Sequence, residues 1–211
     1  MLDQRAQAQY GMSGLELMEH AAAGATAIAR TLLTPGASVL IACGSGNNGG
    51  DGWAMARLLH GQGYAVQVWA PAIARACTNA AVNEGRAKAL KIAVSNSPSL
   101  PDGALDVALV IDALLGTGLN SPLRKDAINH IEAINAHGSP VLAIDLPSGM
   151  HADSGLGQPV AVQAHATATF AGLKIGMLQP HAAQYTGTVH VVDIGIPPEL
   201  AVALAVAAED T

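Results

Sequence analysis

The sequence predicts an α/β fold, namely a three-layer α/β/α sandwich around a mostly parallel central sheet. Short apolar runs with the character of strands alternate along the chain with amphipathic segments of helical period. The runs at 39–43, 107–111 and 140–144 contain no charged or amide residue, which is typical of strands buried on both faces of a parallel sheet. No repeat, composition shift or flexible linker divides the 211 residues, so we expect one domain over residues 1–211.

The individual elements follow from local start and stop signals. Ser13 and Glu16 have the spacing of a capping box, which starts a helix over 15–33, and Pro35 lies where that helix must end. Gly138 closes a later helix in the same way. In order, the predicted elements are helix 15–33, strand 39–43, glycine-rich bend 44–52, helix 53–60, strand 65–69, helix 78–90, strand 107–111, helix 123–136, and strands 140–144, 166–170 and 188–192.

Composition excludes several classes of function. A formal net charge of −6 and only 3% aromatic residues give no basis for binding nucleic acid or an anionic lipid surface. No apolar stretch is long enough to span a membrane, and the N-terminus lacks the apolar core of a signal peptide. Cys43 and Cys77 have neither metal-ligand spacing nor the density of a disulfide framework, so we expect a reduced, cytoplasmic setting.

The glycine-rich bend predicts a phosphate-binding turn. Gly44, Gly46 and Gly49 have the spacing G-x-G-x-x-G between a strand and a helix, where backbone N–H groups and the helix dipole favour an anion. A dinucleotide-dependent dehydrogenase usually also has an acidic residue at the end of the second strand, and residues 68–71 read Val-Trp-Ala-Pro. A dehydrogenase and a ligand-free turn remain open, although two asparagines and Asp51 exceed what capping needs.

Two further loops carry acidic residues at the ends of predicted strands. Asp112 opens a loop with glycines on either side of Thr117, which suits close approach of an anionic ligand. Asp145 follows an apolar strand and is positioned for acid–base chemistry, while Ser148 adds a hydroxyl group. The alternative for each loop is a turn in which these residues cap local backbone groups.

Oxygen atoms from Asn48, Asp112 and Ser148 predict a site for a hard cation. One carboxylate with neutral oxygens suits a weakly held monovalent ion better than a transition metal, which usually recruits His or Cys. We interpret the histidines at 60, 130 and 137 as surface residues. Lys174 could face a phosphate, or it could be a solvated lysine beside a glycine turn.

The three loops together resemble the YjeF N-terminal domain family, which comprises the NAD(P)H-hydrate epimerases. The resemblance begins near Leu2 and covers nearly the whole chain. It is carried by the segments 47–51, 112–118, 145–149, 152–155 and 166–170, by Lys174-x-Gly176 and by 192–197, in this order. It implies a Rossmann-like fold and an isomerase that interconverts the R and S forms of NADHX and NADPHX at C6 of the hydrated nicotinamide.

The resemblance also implies roles for individual residues. Asn48, Asp112 and Ser148 would bind a potassium ion. For the implied reaction, our hypothesis is that Asp145 transfers the proton as water leaves C6 and returns to the other face. The hydrated dinucleotide would contact Asn47, Asn48, Gly49, Gly50, Asp51, Gly116, Thr117, Gly118, Leu119, Asn120, Ser121, Pro122 and Asp145.

Partners follow from the same resemblance. It implies a homodimer and a functional link to an ADP- or ATP-dependent NAD(P)HX dehydratase, which in some relatives is fused at the C-terminus. A non-catalytic nucleotide-binding or dimerising module on the same fold is the alternative function, and it would be expected to lose the polar loop residues. The sequence assigns no arginine to a 2′-phosphate, so it leaves the preference between NADHX and NADPHX open.

Overall fold

The computed structural model describes residues 11–101, 106–118 and 122–196, and its seven strands form one sheet. The strands are β1 (Ser38–Cys43), β2 (Ala65–Trp69), β3 (Ala93–Ser95), β4 (Leu109–Ala113), β5 (Val141–Ile144), β6 (Ala166–Phe170) and β7 (Thr188–Val192). Their order across the sheet is β3-β2-β1-β4-β5-β6-β7, and every neighbouring pair is parallel. The predicted parallel α/β sheet is confirmed.

Helices cover both faces of this sheet. Successive side chains of β1 point to opposite faces of the sheet, and each face has its own apolar cluster. Ile41 packs in the cluster that contains residues of the first helices, and Leu40 packs with Ile131 and Ile134 on the other face. The helices in the described part of the chain are α1 (Gly14–Thr31), α2 (Asn47–Gly61), α3 (Asn79–Ala89), α4 (Lys125–Asn135) and the short α5 (Ala183–Thr186). The chain therefore has the predicted three layers.

Most predicted bounds agree with the structure to within two or three residues, and the capping signal of α1 is confirmed. The Ser13 hydroxyl accepts a hydrogen bond from the Glu16 N–H at 3.2 Å, and the Glu16 carboxylate accepts one from the Ser13 N–H at 2.8 Å. The predicted bounds of β2, β6 and β7 are those observed. Local signals were sufficient for these elements.

Three features differ from the prediction. Helix α2 begins at Asn47, inside the predicted bend, because its glycines let it pack directly against the strands: a Cβ on Gly49 would overlap the Gly44 carbonyl group, and one on Gly52 would lie 2.7 Å from Ala113 Cβ. Strand β3 was not predicted, since it has three residues on the sheet edge. Strand β4 is also shifted by two residues from the predicted 107–111, so it continues one residue past Asp112.

The sheet order locates the place where a ligand can enter. Strands β1 and β4 are neighbours although β2 and β3 lie between them in the sequence, and the chain builds outward in opposite directions from this pair. In open α/β sheets, the crevice at the carboxyl ends of such a strand pair is the usual ligand site. The glycine bend and the Asp112 loop both start there.

Two further expectations concern the environment of the chain. No helix among the described residues is both long and apolar enough to cross a bilayer. Cys43 and Cys77 are both free; Cys43 is buried at the end of β1 and Cys77 is exposed in the segment between β2 and α3. Burial raises the pKa of the Cys43 thiol well above its usual value.

Candidate functional site

A cavity of about 1260 Å³ lies at the carboxyl ends of β1, β2, β4, β5 and β6. Clefts that bind small ligands usually measure about 300–1,000 Å³, so this cavity has room for a ligand as large as a dinucleotide. Eight of the residues predicted to contact the substrate line it: Asn47, Asn48, Asp51, Gly116, Thr117, Gly118, Pro122 and Asp145.

The other predicted site residues that the structure describes do not line the cavity. Gly49 and Gly50 are buried behind the residues that line the cavity. Gly49 packs on the Gly44 carbonyl group and Gly50 packs on the Met18 side chain. Their lack of a side chain is explained by this packing, and they do not line the cavity. Asp112 and Ser148 are also behind the wall. Leu119, Asn120 and Ser121 lie outside the described residues.

The N-terminus of α2 faces the cavity, and its first N–H groups have no hydrogen-bond partner among the described residues. Gly46 is the N-cap, and no side chain in the described part of the chain caps this end. The first N–H group bonded within the helix is that of Gly50, which donates to the Gly46 carbonyl at 3.0 Å. The N–H groups before it, together with the helix dipole, form a site that favours an anion such as a phosphate.

The backbone of Leu115 joins the three residues predicted to bind a cation. The Asn48 amide donates to the Leu115 carbonyl at 2.9 Å, and the Leu115 N–H donates to the Ser148 hydroxyl at 2.9 Å. The Ser148 hydroxyl donates to Asp112 Oδ1 at 2.6 Å, and the Ser148 N–H donates to Asp112 Oδ2 at 2.8 Å. Residues from α2, β4 and the loop after β5 are thereby brought together.

Asp112 is fully buried in this cluster. Burial raises its pKa to about 6, although hydrogen bonds from Ser148 and from the Leu114 N–H act in the opposite direction. No cationic side chain forms an ion pair with it among the described residues. A buried carboxylate without a counter-charge is costly, so the site would gain from a bound cation.

The oxygen atoms of this cluster fit a weakly held cation. Asn48 Oδ1 is buried and accepts no hydrogen bond from any described residue, so both its lone pairs are available. Three donors occupy Asp112 and leave room for one more partner. The described residues contain no group of three His, Cys, Asp or Glu side chains that would hold a transition metal.

Asp145 lies on the cavity wall in a strained backbone conformation. Its φ of 63° is in the left-handed region. Residues other than glycine adopt this region at a cost in energy, and such strained residues are common at functional sites. Oδ1 forms an ion pair with the Lys174 ammonium group at 2.6 Å, with each side chain 17% exposed. Oδ2 lies beside Gly116, where a Cβ would approach it to 3.4 Å. One carboxylate oxygen therefore holds the lysine, while the other borders the predicted ligand loop.

Comparison with known proteins connects this site to a family. The family described as "YjeF-related protein N-terminus" matches residues 14–176, which include every loop described above. The chain belongs to the YjeF N-terminal domain family.

Relatives within the YjeF N-terminal domain family carry two kinds of name. The chain is 40% identical to an NAD(P)H-hydrate epimerase of Rhodopirellula baltica, over 94% of this chain and 82% of the relative. It is 41% identical to an NAD(P)H-hydrate epimerase of Pirellula staleyi, over 95% of this chain and 91% of the relative. A bifunctional NAD(P)H-hydrate repair enzyme Nnr of Pyrobaculum aerophilum is 38% identical over 90% of this chain, which covers 39% of that longer protein.

A solved structure supports the fold. The crystal structure of yeast ynu0 (YNL200c) superposes with a TM-score of 0.78, covering 94% of this chain and 87% of the yeast chain. The sequence identity is 23%, so this likeness concerns the architecture alone.

The sequence did not reveal the contacts of two residues of this YjeF-type site. Lys174 was left as a phosphate contact or a solvated lysine, and it is instead the ion-pair partner of Asp145. Its position in the Lys174-x-Gly176 motif was the available signal. His130 was interpreted as a surface residue; it is partly exposed on the cavity wall, and its ring centroid lies 5.0 Å from that of Trp69 in an edge-to-face arrangement. No sequence pattern indicated that packing.

Proposed function

We propose that this chain is an NAD(P)H-hydrate epimerase, an isomerase that interconverts the R and S forms of NADHX and NADPHX. Relatives of about the same length that carry this name are 40% and 41% identical to it. The structural observation that carries the proposal is the Asp145–Lys174 pair on the wall of a cavity large enough for a dinucleotide.

The reaction requires proton transfer at one carbon atom. C6 of the hydrated nicotinamide carries a hydroxyl group next to the ring nitrogen, so loss of water leaves a planar iminium ion. Water that returns to the opposite face inverts the configuration. The leaving hydroxyl needs a proton, the incoming water must lose one, and a nearby negative charge favours the cationic intermediate.

Asp145 has the chemistry for this task. The Lys174 ammonium group holds Oδ1, so Oδ2 is the oxygen that exchanges the proton with substrate. No described residue donates a hydrogen bond to Oδ2, which leaves it available for the substrate hydroxyl or a water molecule. Lys174 also donates to Thr169 Oγ1 at 2.9 Å and to the Phe170 carbonyl at 3.1 Å, and these bonds fix the direction from which it meets Asp145. Lys174 is thus a positioning residue for the carboxylate.

The remainder of the cavity suits the rest of a dinucleotide. The first N–H groups of α2 and the side chain of Asn47 would receive the pyrophosphate. The segment from Gly116 to Pro122, of which 119–121 lie outside the described residues, would border the nicotinamide end beside Asp145.

Potassium is the cation proposed for the cluster around Leu115. Asn48, Asp112 and Ser148 would hold it, since the Asn48 oxygen is unpartnered and the Asp112 carboxylate has no counter-charge among the described residues. The ion would supply that counter-charge and hold the loops after β4 and β5 together. Proton transfer at C6 is assigned to Asp145 alone.

Further parts of the proposal concern the surroundings of the enzyme. The relatives named Nnr are bifunctional repair enzymes, which supports a link to the dehydratase that consumes one epimer of the product mixture. A homodimer and a cytoplasmic location stay predictions. Size-exclusion chromatography with light scattering measures the first directly.

The decisive experiment starts from a single NADHX epimer at near-neutral pH with potassium present. Its conversion to the other epimer is followed by chromatography against the spontaneous rate. We expect a large acceleration that is proportional to protein concentration. Binding of NADHX without any acceleration would overturn the proposal and favour a non-catalytic nucleotide-binding module.

A further inference from the structure

The segment between β2 and α3 forms one end of the cavity and contributes a single cation to it. Arg75 lines the cavity, and its guanidinium group has no carboxylate partner among the described residues. The other two cationic residues on this wall do have acidic neighbours: Lys174 pairs with Asp145, and Arg124 lies 3.9 Å from Asp126. Arg75 is therefore the cation available to an anionic ligand group at this end of the cavity.

The backbone that carries Arg75 is held in place. Its carbonyl accepts a hydrogen bond from the Thr78 hydroxyl at 2.7 Å, and the same hydroxyl caps α3 by accepting from the Ala81 N–H. The preceding residue, Ala74, donates its N–H to the buried Glu84 carboxylate at 3.2 Å. An arginine on an anchored segment loses less freedom on binding than one on a loose loop.

The sheet order determines which part of the substrate lies nearby, and this step rests on the proposed function. Strands β2, β1, β4 and β5 are consecutive, so the ends of β2 and β5 are about 14 Å apart at a spacing of about 4.8 Å between strands. With the nicotinamide at Asp145, after β5, and the pyrophosphate at the start of α2, after β1, the adenosine ribose reaches the segment after β2. Arg75 and the amide of Asn79 line that end.

The chemistry of this end favours a phosphate over a free hydroxyl. Dinucleotide-binding folds specific for the unphosphorylated cofactor have an acidic residue at the end of the second strand, which binds the ribose 2′-hydroxyl and repels a 2′-phosphate. Residues 65–78 contain no acidic residue and one cation. The N-terminus of α3 adds a partial positive charge.

We propose that Arg75 binds the 2′-phosphate of NADPHX and gives this enzyme a preference for NADPHX over NADHX. A guanidinium group binds phosphate with two charge-assisted hydrogen bonds, whereas the 2′-hydroxyl of NADHX offers neither charge nor matching geometry. The preference is therefore a property of one side chain at the end of the cavity opposite to Asp145.

The first test compares kcat/KM for the two substrates in the wild type, in Arg75→Gln and in Arg75→Lys. We expect the ratio of NADPHX to NADHX to fall about tenfold in Arg75→Gln and to be partly retained in Arg75→Lys, with the loss appearing in KM. Arg30→Gln is the matched control, because Arg30 is exposed on the last turn of α1 and does not line the cavity. An unchanged ratio in Arg75→Gln would overturn the proposal.

A second test does not depend on epimerase activity. Calorimetry measures the binding of adenosine 2′,5′-bisphosphate and of AMP, which share the adenosine part and lack the nicotinamide. We expect the wild type and Arg30→Gln to bind the bisphosphate more tightly, and Arg75→Gln to bind the two alike. Equal binding by the wild type would refute the role of Arg75. A wild type that discriminates between these fragments but epimerises neither substrate would refute the proposed function alone and still support the role of Arg75.

Discussion

Asp112 lies next to the last residue of β4 and Asp145 directly follows the neighbouring β5, yet their surroundings are opposite. Asp112 is fully buried among donors from Ser148 and Leu114, whereas Asp145 borders the cavity and pairs with Lys174. The register explains the difference: Asp112 is level with Ala143, so Asp145 lies two residues, or about 7 Å, further along the strand direction.

Both residues are aspartates, so their different roles follow from how far each lies along the strand direction towards the cavity. The Asp112 carboxylate accepts hydrogen bonds from backbone groups of two loops, and its pKa is raised because burial removes it from water. The outer carboxylate keeps one oxygen available to a ligand. We therefore expect substitution of Asp145 to lower the rate of catalysis and substitution of Asp112 to lower stability.

Asp145→Asn should have the largest effect on catalysis. We expect epimerisation to slow by about 10²- to 10⁴-fold, because the amide cannot exchange the proton. The free energy of unfolding should change by only about 1 kcal/mol, since asparagine tolerates the left-handed conformation and its amide oxygen can still accept a hydrogen bond from Lys174. Single-epimer turnover and urea denaturation measure the two quantities. Asp153→Asn, an exposed acid off the cavity wall, is the control; near-wild-type turnover in Asp145→Asn would remove its catalytic role.

Asp112→Asn should show the opposite pattern, with stability affected first. An amide nitrogen would face donors at Ser148 or Leu114 instead of accepting from them, and a buried unsatisfied group costs about 1–3 kcal/mol. Urea denaturation should show this loss as a lower midpoint. If the midpoint were unchanged while turnover vanished, the assignment of the two acids would have to be exchanged.

Lys174→Met tests whether the outer acid depends on its partner. The stem of Lys174 is largely buried, and methionine fills a similar volume without the charge. We expect kcat to fall about tenfold, because Asp145 loses the bond that orients it. Lys174→Arg keeps a charge and should recover part of the rate. Equal rates for the wild type and Lys174→Met would show that the carboxylate needs no positioning.

Removal of potassium should have the smallest effect. Replacing KCl with choline chloride at constant ionic strength removes about 1 kcal/mol of ligand stabilisation, which corresponds to a fall in Tm of about 2–4 °C. Asn48→Ala should abolish this response. Asn83→Ala is the matched control, since Asn83 also has a buried unpartnered oxygen but lies against Met18, away from Asp112. A response that persists in Asn48→Ala would contradict the proposed cation site.

Much of this arrangement could be predicted from the sequence. Apolar runs end near Asp112 and directly before Asp145, and parallel strands end at a common edge, so the two acids had to lie near each other and near the glycine bend. Asn48, Asp112 and Ser148 do lie together around Leu115, while their binding of a cation stays a prediction.

The remaining features depend on contacts between distant residues. Glycine disfavours helices in isolation, so the start of α2 at Asn47 becomes apparent only once the neighbouring Gly44 carbonyl and Met18 are seen to leave no room for side chains. The Asp145–Lys174 pair joins loops after two different strands. Arg75 becomes interpretable when the cavity shows which side chains share its wall.

The two cysteines give this protein a built-in attachment point for a reporter. Cys43 is buried beneath α2 and its thiol stays protonated, while Cys77 is exposed two residues from Arg75. Thiol-directed dyes require an accessible thiolate, so they should label Cys77 alone in the folded chain. An environment-sensitive fluorophore at that position would signal the arrival of a nucleotide in real time, without turnover and without any engineered cysteine.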